Sequence, residues 1–299
     1  MAPDWLKRWV KKSPLLVAIY SRFSWRLHVA LDWWGTRVWT RTREIETPLG
    51  FRLSSGLHPA YELMRKGEFE PSETALLQSL FRYCDRFIDV GANLGYFTCL
   101  ALKQGLPVVA IEPQPQNLAC LYRNLEVNGW SDGAEVFPLA LSERPGLLSL
   151  FGASGPSASL IRGWAGYSSR HMQKVSVSTL DNLVNGRFQG ERLVVKIDVE
   201  GAEYGVLRGA TSVLARSPKP AWLMEVCLHE FHPDGANPDF LAIFELFFSH
   251  GYAAYSVTEQ LTPVSPEQVQ AWWERRRSDG RTFNYLFVDP ARVPPCFPY

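Results

Sequence analysis

The chain lacks a dominant charge. Its 299 residues hold 31 Lys and Arg against 30 Asp and Glu, a formal net of +1. That balance excludes a broadly basic nucleic-acid binder and an acidic, disordered chain. Cysteine is scarce: the five residues, Cys84, Cys99, Cys120, Cys227 and Cys296, are irregularly spaced. None forms a C-x-x-C pair or a Cys/His cluster of zinc-site spacing. An odd, scattered set suits reduced thiols buried as small apolar groups in a cytosolic protein. No run reaches the ~18 apolar residues that a membrane-crossing helix needs. Residues 15–20 follow a basic start, but Ser21-Arg-Phe-Ser-Trp25 offers no small-residue cleavage site, so export is not expected. Internal repeats and low-complexity tracts are absent as well.

With 46% apolar and 20% charged residues, the chain can bury a sizeable core. Its length allows one large α/β domain or two small ones. The near-neutral total hides an asymmetry. Residues 1–43 carry nine basic side chains, among them Lys7, Arg8, Lys11 and Lys12, against Asp4 and Asp32, a net of +7, which leaves −6 for the rest. Six of the eleven tryptophans fall in the same stretch. Residues 44–70, with Pro48, Gly50, Gly56, Pro59 and Gly67, read as a mixed linker.

From Pro71 onward, short apolar runs alternate with helical patterns. Strands are expected at 86–90, 107–111, 134–141, 193–197 and 221–226. Helices are expected at 95–104, 114–128 (closed by Gly129), 204–215 and 240–250. Residues 147–151 and 174–179 read as an extra strand pair around a Ser/Gly loop. Residues 252–257 and 282–288 read as final strands, with a helical 265–277 between them. Strands alternating with helices imply a parallel sheet covered on both faces. Sites in such sheets open at the carboxyl ends of the strands, beside the topological switch point.

The chemistry is therefore sought where strands end. The first ends in Asp89-Val-Gly91-Ala-Asn93-Leu-Gly95. Glycines there permit a tight turn and a close approach to a ligand. The spacing is G-x-x-x-G, a poor match to the G-x-G-x-x-G pyrophosphate fingerprint. The second strand ends in Glu112-Pro113, 21 residues after Gly91, where an acid can accept both hydroxyls of a ribose. The pair indicates an adenosine ligand without separating a dinucleotide from S-adenosylmethionine.

The blocks Phe87-Ile-Asp-Val-Gly-Ala-Asn-Leu-Gly-Tyr-Phe-Thr98, Ala110-Ile-Glu-Pro-Gln-Pro115, Leu139-Ala-Leu-Ser-Glu143, Val177-Ser-Thr-Leu-Asp181 and Lys196-Ile-Asp-Val-Glu-Gly-Ala-Glu203 stand in order. Together they resemble the FkbM-type methyltransferases, a class I S-adenosylmethionine-dependent family. The resemblance runs from about residue 69 to 288, and the Lys196–Glu203 block is its most specific part. It implies a Rossmann-like α/β fold: a seven-stranded, mostly parallel sheet with helices on both faces, its last strand antiparallel between strands five and six. The resemblance does not cover residues 1–60, which read as a basic, Trp-rich, helical segment with linker, ahead of a methyltransferase domain at 61–299. By the same resemblance, Asp89, Gly91, Asn93 and Gly95 surround the methionine part of S-adenosylmethionine and Glu112 holds the ribose. The strand-three end at Ala140-Leu141-Ser142 then lies against the adenine.

On the acceptor side, Asp198 ends strand four and faces the transferred methyl, and Glu225 ends strand five with His229 four residues on. These three are the candidate catalytic residues, with Glu200 and Glu203 nearby. Asp198 is favoured because an acid directly after an apolar run costs desolvation unless it is used or paired. A divalent metal (Mg) at these acids is a further option. The loop 152–160 suits a cover for the mouth or a plain surface loop.

At 100° per residue, Leu16, Tyr20, Phe23, Leu27, Leu31, Trp34 and Val38 share a stripe flanked by Arg22, Arg26, Arg37 and Arg41. Such a segment either lies as a helix on an anionic membrane face, packs on the catalytic domain or covers its substrate, or is a disordered arm. The expected function is methylation of a hydroxyl on a sugar, polyketide or lipid-linked acceptor, in the cytoplasm or peripherally on the inner membrane face. A small-molecule or lipid-linked substrate is expected and nucleic acid is not. The alternatives are an NAD(P)-dependent oxidoreductase of Rossmann type and a non-catalytic membrane-associated adaptor. Retention of Asp89, Gly91, Gly95 and Glu112 counts against the adaptor, and the loop spacing against the oxidoreductase.

Overall fold

A computed structural model describes residues 44–54, 60–152, 158–166, 172–184, 186–279 and 282–292. The amphipathic pattern of 1–43, residues 153–157 of the Ser/Gly loop and Cys296 lie outside them. The chain divides between Arg41 and Thr42, and the unit Thr42–Tyr299 carries the fold.

That unit starts earlier than the expected boundary at residue 60. Strands β1 (Glu44–Glu46) and β2 (Arg52–Ser54) form an antiparallel hairpin. Ile45, Phe51 and Leu53 alternate inward, so the hairpin contributes to the core instead of linking to it. Helices α1 (Tyr61–Lys66) and α2 (Pro71–Phe81) follow.

The main sheet is built from β3 (Arg86–Val90), β4 (Val108–Ile111), β5 (Ala134–Phe137), β9 (Leu193–Ile197), β10 (Ala221–Glu225), β11 (Ala253–Val257), β12 (Leu261–Val264) and β13 (Asn284–Val288), in the order β12-β11-β13-β10-β9-β3-β4-β5. Strands β5, β4, β3, β9 and β10 are parallel. Strand β13 runs antiparallel between β10 and β11, as the resemblance implied. The central strands are buried on both faces, which is why they read as unbroken apolar runs. One face packs on α3 (Tyr96–Lys103), α4 (Pro115–Asn128), α2 and the hairpin, and the other packs largely on helices between β9 and β11. An eighth strand, β12, was not foreseen. It contains Pro263 and sits at the sheet edge, where a missing donor is tolerated.

Two expected elements break. The third strand stops at Phe137 before Pro138. Ala140–Leu141 (β6) instead pairs with β8 (Met172–Ser178), which also pairs with β7 (Gly146–Phe151) in a separate three-stranded sheet. The 204–215 helix splits into Glu203–Arg208 and Thr211–Leu214 at Gly209. A side chain at Gly209 would overlap the Ser142 carbonyl, so the chain bends where the small sheet presses on it.

Candidate active site

The switch point lies between β3 and β9, where the strand order reverses. Both Gly91 and Ala92 amides donate to the Ile111 carbonyl, at 2.9 and 3.0 Å, folding the β3 loop onto the end of β4. Gly91 has φ +84, and a Cβ there would overlap the carbonyl oxygen of Asp198. Only glycine lets the ends of β3 and β9 meet this closely. Asn93 is also left-handed, at φ 52. Its amide donates to Glu112 Oε2 at 2.8 Å. Glu112 Oε1 accepts from the Gln114 amide at 2.8 Å and Asn117 Nδ2 at 3.2 Å. Burial raises the Glu112 carboxyl to about 7, even though these three donors oppose the rise.

Gly91, Asn93, Glu112, Ala140 and Asp198 line one cleft of about 610 Å³. Three other expected contacts lie elsewhere. Asp89 is beneath the loop, 1% exposed, accepting from the Thr98 hydroxyl at 2.6 Å. Its carboxyl is held above the usual range by burial, against the pull of Lys196 and Thr98. Gly95 begins α3 at φ +88, where a Cβ would overlap the Leu121 side chain, so its glycine serves helix packing. Ser142 faces Gly205 and Gly209 rather than the cleft, because β6 has left the main sheet.

Asp198 is at the opposite wall of the cleft from Glu112. Its Oδ2 receives the Lys196 ammonium at 2.7 Å. Lys196 is 4% exposed, one strand position from the mouth, with Nζ 4.9 Å from the Phe97 ring centroid. Glu200, at φ 56, follows. It accepts from Trp164 Nε1 at 2.7 Å, and its carbonyl accepts from the Ser159 hydroxyl at 2.5 Å. Trp164 lies where a Cβ on Gly201 would fall. These contacts tie the 158–166 segment to the end of β9, and Ala158 and Leu160 from it line the cleft with Leu150.

Glu225 stands behind Asp198, outside the cleft lining. Burial first, then the charges of Asp198 and Glu200, push it up to about 8. It therefore holds a proton at neutral pH. His229 is not brought to the mouth: Nδ1 faces the Gly235 carbonyl at 2.7 Å and Nε2 faces the Arg276 carbonyl. With both ring nitrogens committed to backbone, it braces two loops and is removed from the catalytic set. Glu203 turns to the Val199 and Gly201 amides, and burial raises it to about 8. Among the described residues no three His, Cys, Asp or Glu side chains are arranged to hold a metal ion. The magnesium option loses its donor set, since Glu203 and His229 point at backbone.

Sequence reasoning missed Asn117 and the part played by Lys196. Lys196 had a signal, as the lone charge in an apolar strand. Asn117, one turn into the helix after Glu112-Pro113, had a weaker one.

A mostly parallel sheet with an inserted antiparallel strand, a glycine loop after the first strand and a ribose-competent acid after the second define a Rossmann-like class I methyltransferase fold. The family model for the methyltransferase FkbM domain matches residues 89–254, more than half of the chain. The chain belongs to that family, and membership implies S-adenosylmethionine as methyl donor. No curated protein matches it. Similar solved structures include the methyltransferase FkbM from Methylobacillus flagellatus KT, with 16% identity and a TM-score of 0.43 over 69% of this chain and 44% of that one. The chain thus spans less than half of that protein. An O-methyltransferase from Bacillus cereus in complex with SAH shares 13% identity and a TM-score of 0.44, over 73% and 80% of the two chains. A precorrin-6y C5,15-methyltransferase from Geobacter metallireducens GS-15 shares 11% identity and a TM-score of 0.36, over 72% and 85%. Among the described residues no helix is long and apolar enough to cross a membrane.

Proposed function

We propose that the protein methylates a hydroxyl on a sugar, polyketide or lipid-linked acceptor, with Asp198 as the base. The observation that carries this is one cleft holding Glu112 on one wall and an ion-paired Asp198 on the other. S-adenosylmethionine supplies an electrophilic methyl on a sulfonium. Glu112 keeps lone pairs toward the cleft for ribose hydroxyls, and Gly91 leaves room at the methionine end. Ala140 and Leu150 supply apolar surface for the adenine. The acceptor oxygen must be held in line with the S–CH3 bond and give up its proton. As the O–C bond forms, the C–S pair returns to sulfur and the hydroxyl proton passes to Asp198. Glu225, already protonated at neutral pH, does not compete for it.

Glu112→Ala is expected to weaken S-adenosylmethionine binding by about 100-fold, two charge-assisted hydrogen bonds at about 1.5 kcal/mol each. Titration calorimetry checks this, with NAD as the comparison ligand. Unchanged affinity, or binding of NAD alone, would sink the donor assignment.

The +7 of residues 1–43, with its apolar stripe and six tryptophans, supports peripheral contact with an anionic membrane and hence a lipid-linked acceptor. Deleting 1–43 is expected to abolish sedimentation with phosphatidylglycerol-containing vesicles while leaving donor affinity within a few-fold. Unchanged sedimentation would remove the membrane from the proposal.

A further inference from the structure

The cleft has a third side that the donor and base assignments leave unexplained. Residues 158–160 run across it, and Ala158 and Leu160 line it beside Asp198 and Glu200. The run is tied down on both flanks. Toward the small sheet, the Phe151 and Ser159 backbones exchange two hydrogen bonds, at 2.8 and 3.0 Å. Ala158 and Leu160 pack there on the apolar cluster that includes Ala140 and Leu150. Toward β9, two ties go to one residue. The Ser159 hydroxyl donates to the Glu200 carbonyl at 2.5 Å, and Trp164 Nε1 donates to Glu200 Oε2 at 2.7 Å. A buried indole needs a partner for its N–H. Trp164 is 2% exposed, and Glu200 takes a left-handed backbone, φ 56, to serve as that partner. The ring fills the space where a Cβ on Gly201 would fall and meets His232 edge-on, with centroids 4.8 Å apart. The following amide, of Ala165, donates to the Phe231 carbonyl at 2.7 Å. Connecting segments ordinarily lie on the surface with polar side chains outward. Here a tryptophan is buried to fix one, two residues along the chain from Asp198's neighbour Val199 to Gly201.

We propose that Trp164 is a positioning residue for the methyl donor: through its bond to Glu200 it holds Ala158 and Leu160 as an apolar cover over the adenine. This rests on the cleft as the S-adenosylmethionine site. The adenine end follows from the lining. Ala140 and Leu150 supply the apolar surface assigned to the adenine, and they are the residues on which Ala158 and Leu160 pack. The base then lies against one continuous apolar surface that bends from the small sheet onto the cover, while its ribose stays with Glu112. Burying the base against that surface stabilises the complex in proportion to the apolar area removed from water. With the indole bond in place, the cover is ordered before the donor arrives. Without it, Leu160 is held on the small-sheet flank and by Ser159 alone, and its ordering falls to the binding step, which weakens binding. The effect therefore falls on donor affinity and donor KM, and not on kcat.

Titration calorimetry of the full chain with two probes, S-adenosylmethionine and adenosine, tests the cover. Trp164→Phe keeps a ring and removes the N–H. Affinity for both probes is expected to fall about tenfold, the effect of one hydrogen bond to a charged group. Leu160→Ala is expected to weaken both by a similar factor through lost apolar contact. The double variant Trp164→Phe/Leu160→Ala should bind little worse than either single one, because both changes remove the same cover. Independent effects would instead multiply to about a hundredfold. Glu200→Ala removes the same bond from its other end, leaves the indole in place and serves if Trp164→Phe does not fold. Glu200→Gln, whose amide oxygen still accepts the indole N–H, should keep more affinity than Glu200→Ala. A tryptophan that only supports the fold would lower Tm and leave both affinities unchanged. That result, a hundredfold loss in the double variant, or equal losses in Glu200→Gln and Glu200→Ala overturns the cover. Wild type that binds neither probe refutes the donor site itself. Wild type that binds both, with Trp164→Phe binding them equally well, refutes only the cover.

Discussion

Asp198→Asn is expected to lower methyl transfer by about 10²–10⁴-fold, the usual contribution of a positioned general base, while S-adenosylmethionine affinity changes by no more than a few-fold. The separation follows from position. Asp198 shares the cleft with Glu112 but lies across it, and the hydrogen bonds that shape the ribose end come from Asn93, Gln114 and Asn117. Asparagine keeps the volume and one oxygen but cannot take a proton. The variant should fold, because Asp89, the register partner of Lys196, still faces its ammonium. Glu225 is held near 8 and so is protonated at neutral pH. A residual rate in Asp198→Asn that climbs above pH 8 would identify Glu225 as the substitute base. A rate at pH 7 equal to wild type would remove Asp198 from the chemistry.

Gly91→Ala is the second substitution with a large expected effect, and it acts on stability and donor binding together. Two costs add. The residue sits at φ +84, and its Cβ would overlap the backbone carbonyl of Asp198. Left-handed backbone alone costs about 1 kcal/mol for alanine. Relieving the overlap requires the ends of β3 and β9 to separate, because a main-chain oxygen cannot rotate away as a side chain can. A total of about 3–5 kcal/mol is expected, which lowers Tm by roughly 10 °C for a unit of this size. Separation also moves Asp198, whose amide donates to the Val90 carbonyl at 3.0 Å. Gly105→Ala is the control, since Gly105 has φ +81 and nothing within 4 Å of its Cβ position. It should lose only the backbone cost and bind donor normally. Equal Tm values for the two variants would show that the close approach is not what requires glycine at 91.

Much of the fold was legible because its signals are local. Buried parallel strands must be apolar along their whole length, and β3, β4, β9 and β10 announce themselves that way. The Gly129 cap of α4 is equally visible. The strand pair around the Ser/Gly loop was placed correctly, yet its partner was not. Ala140–Leu141 reads as the end of a strand, and only the register with Val177 and Ser178 shows that it belongs to another sheet. Ser142 was misplaced for the same reason. His229 was drawn toward the mouth by proximity in sequence to Glu225, while the Gly235 and Arg276 carbonyls that hold it are set by loop packing.

The sequence by itself determined the class and family of the protein, the strands that build the mouth and the acids at their ends, since each depends on residue type at short spacing. Tertiary structure decided which of those acids share a cleft, how far burial raises Glu112 and Glu225, and that Lys196 pairs with Asp198. Those properties depend on distance and desolvation between residues far apart in the chain, such as Glu112 and Asp198, and no local pattern encodes either.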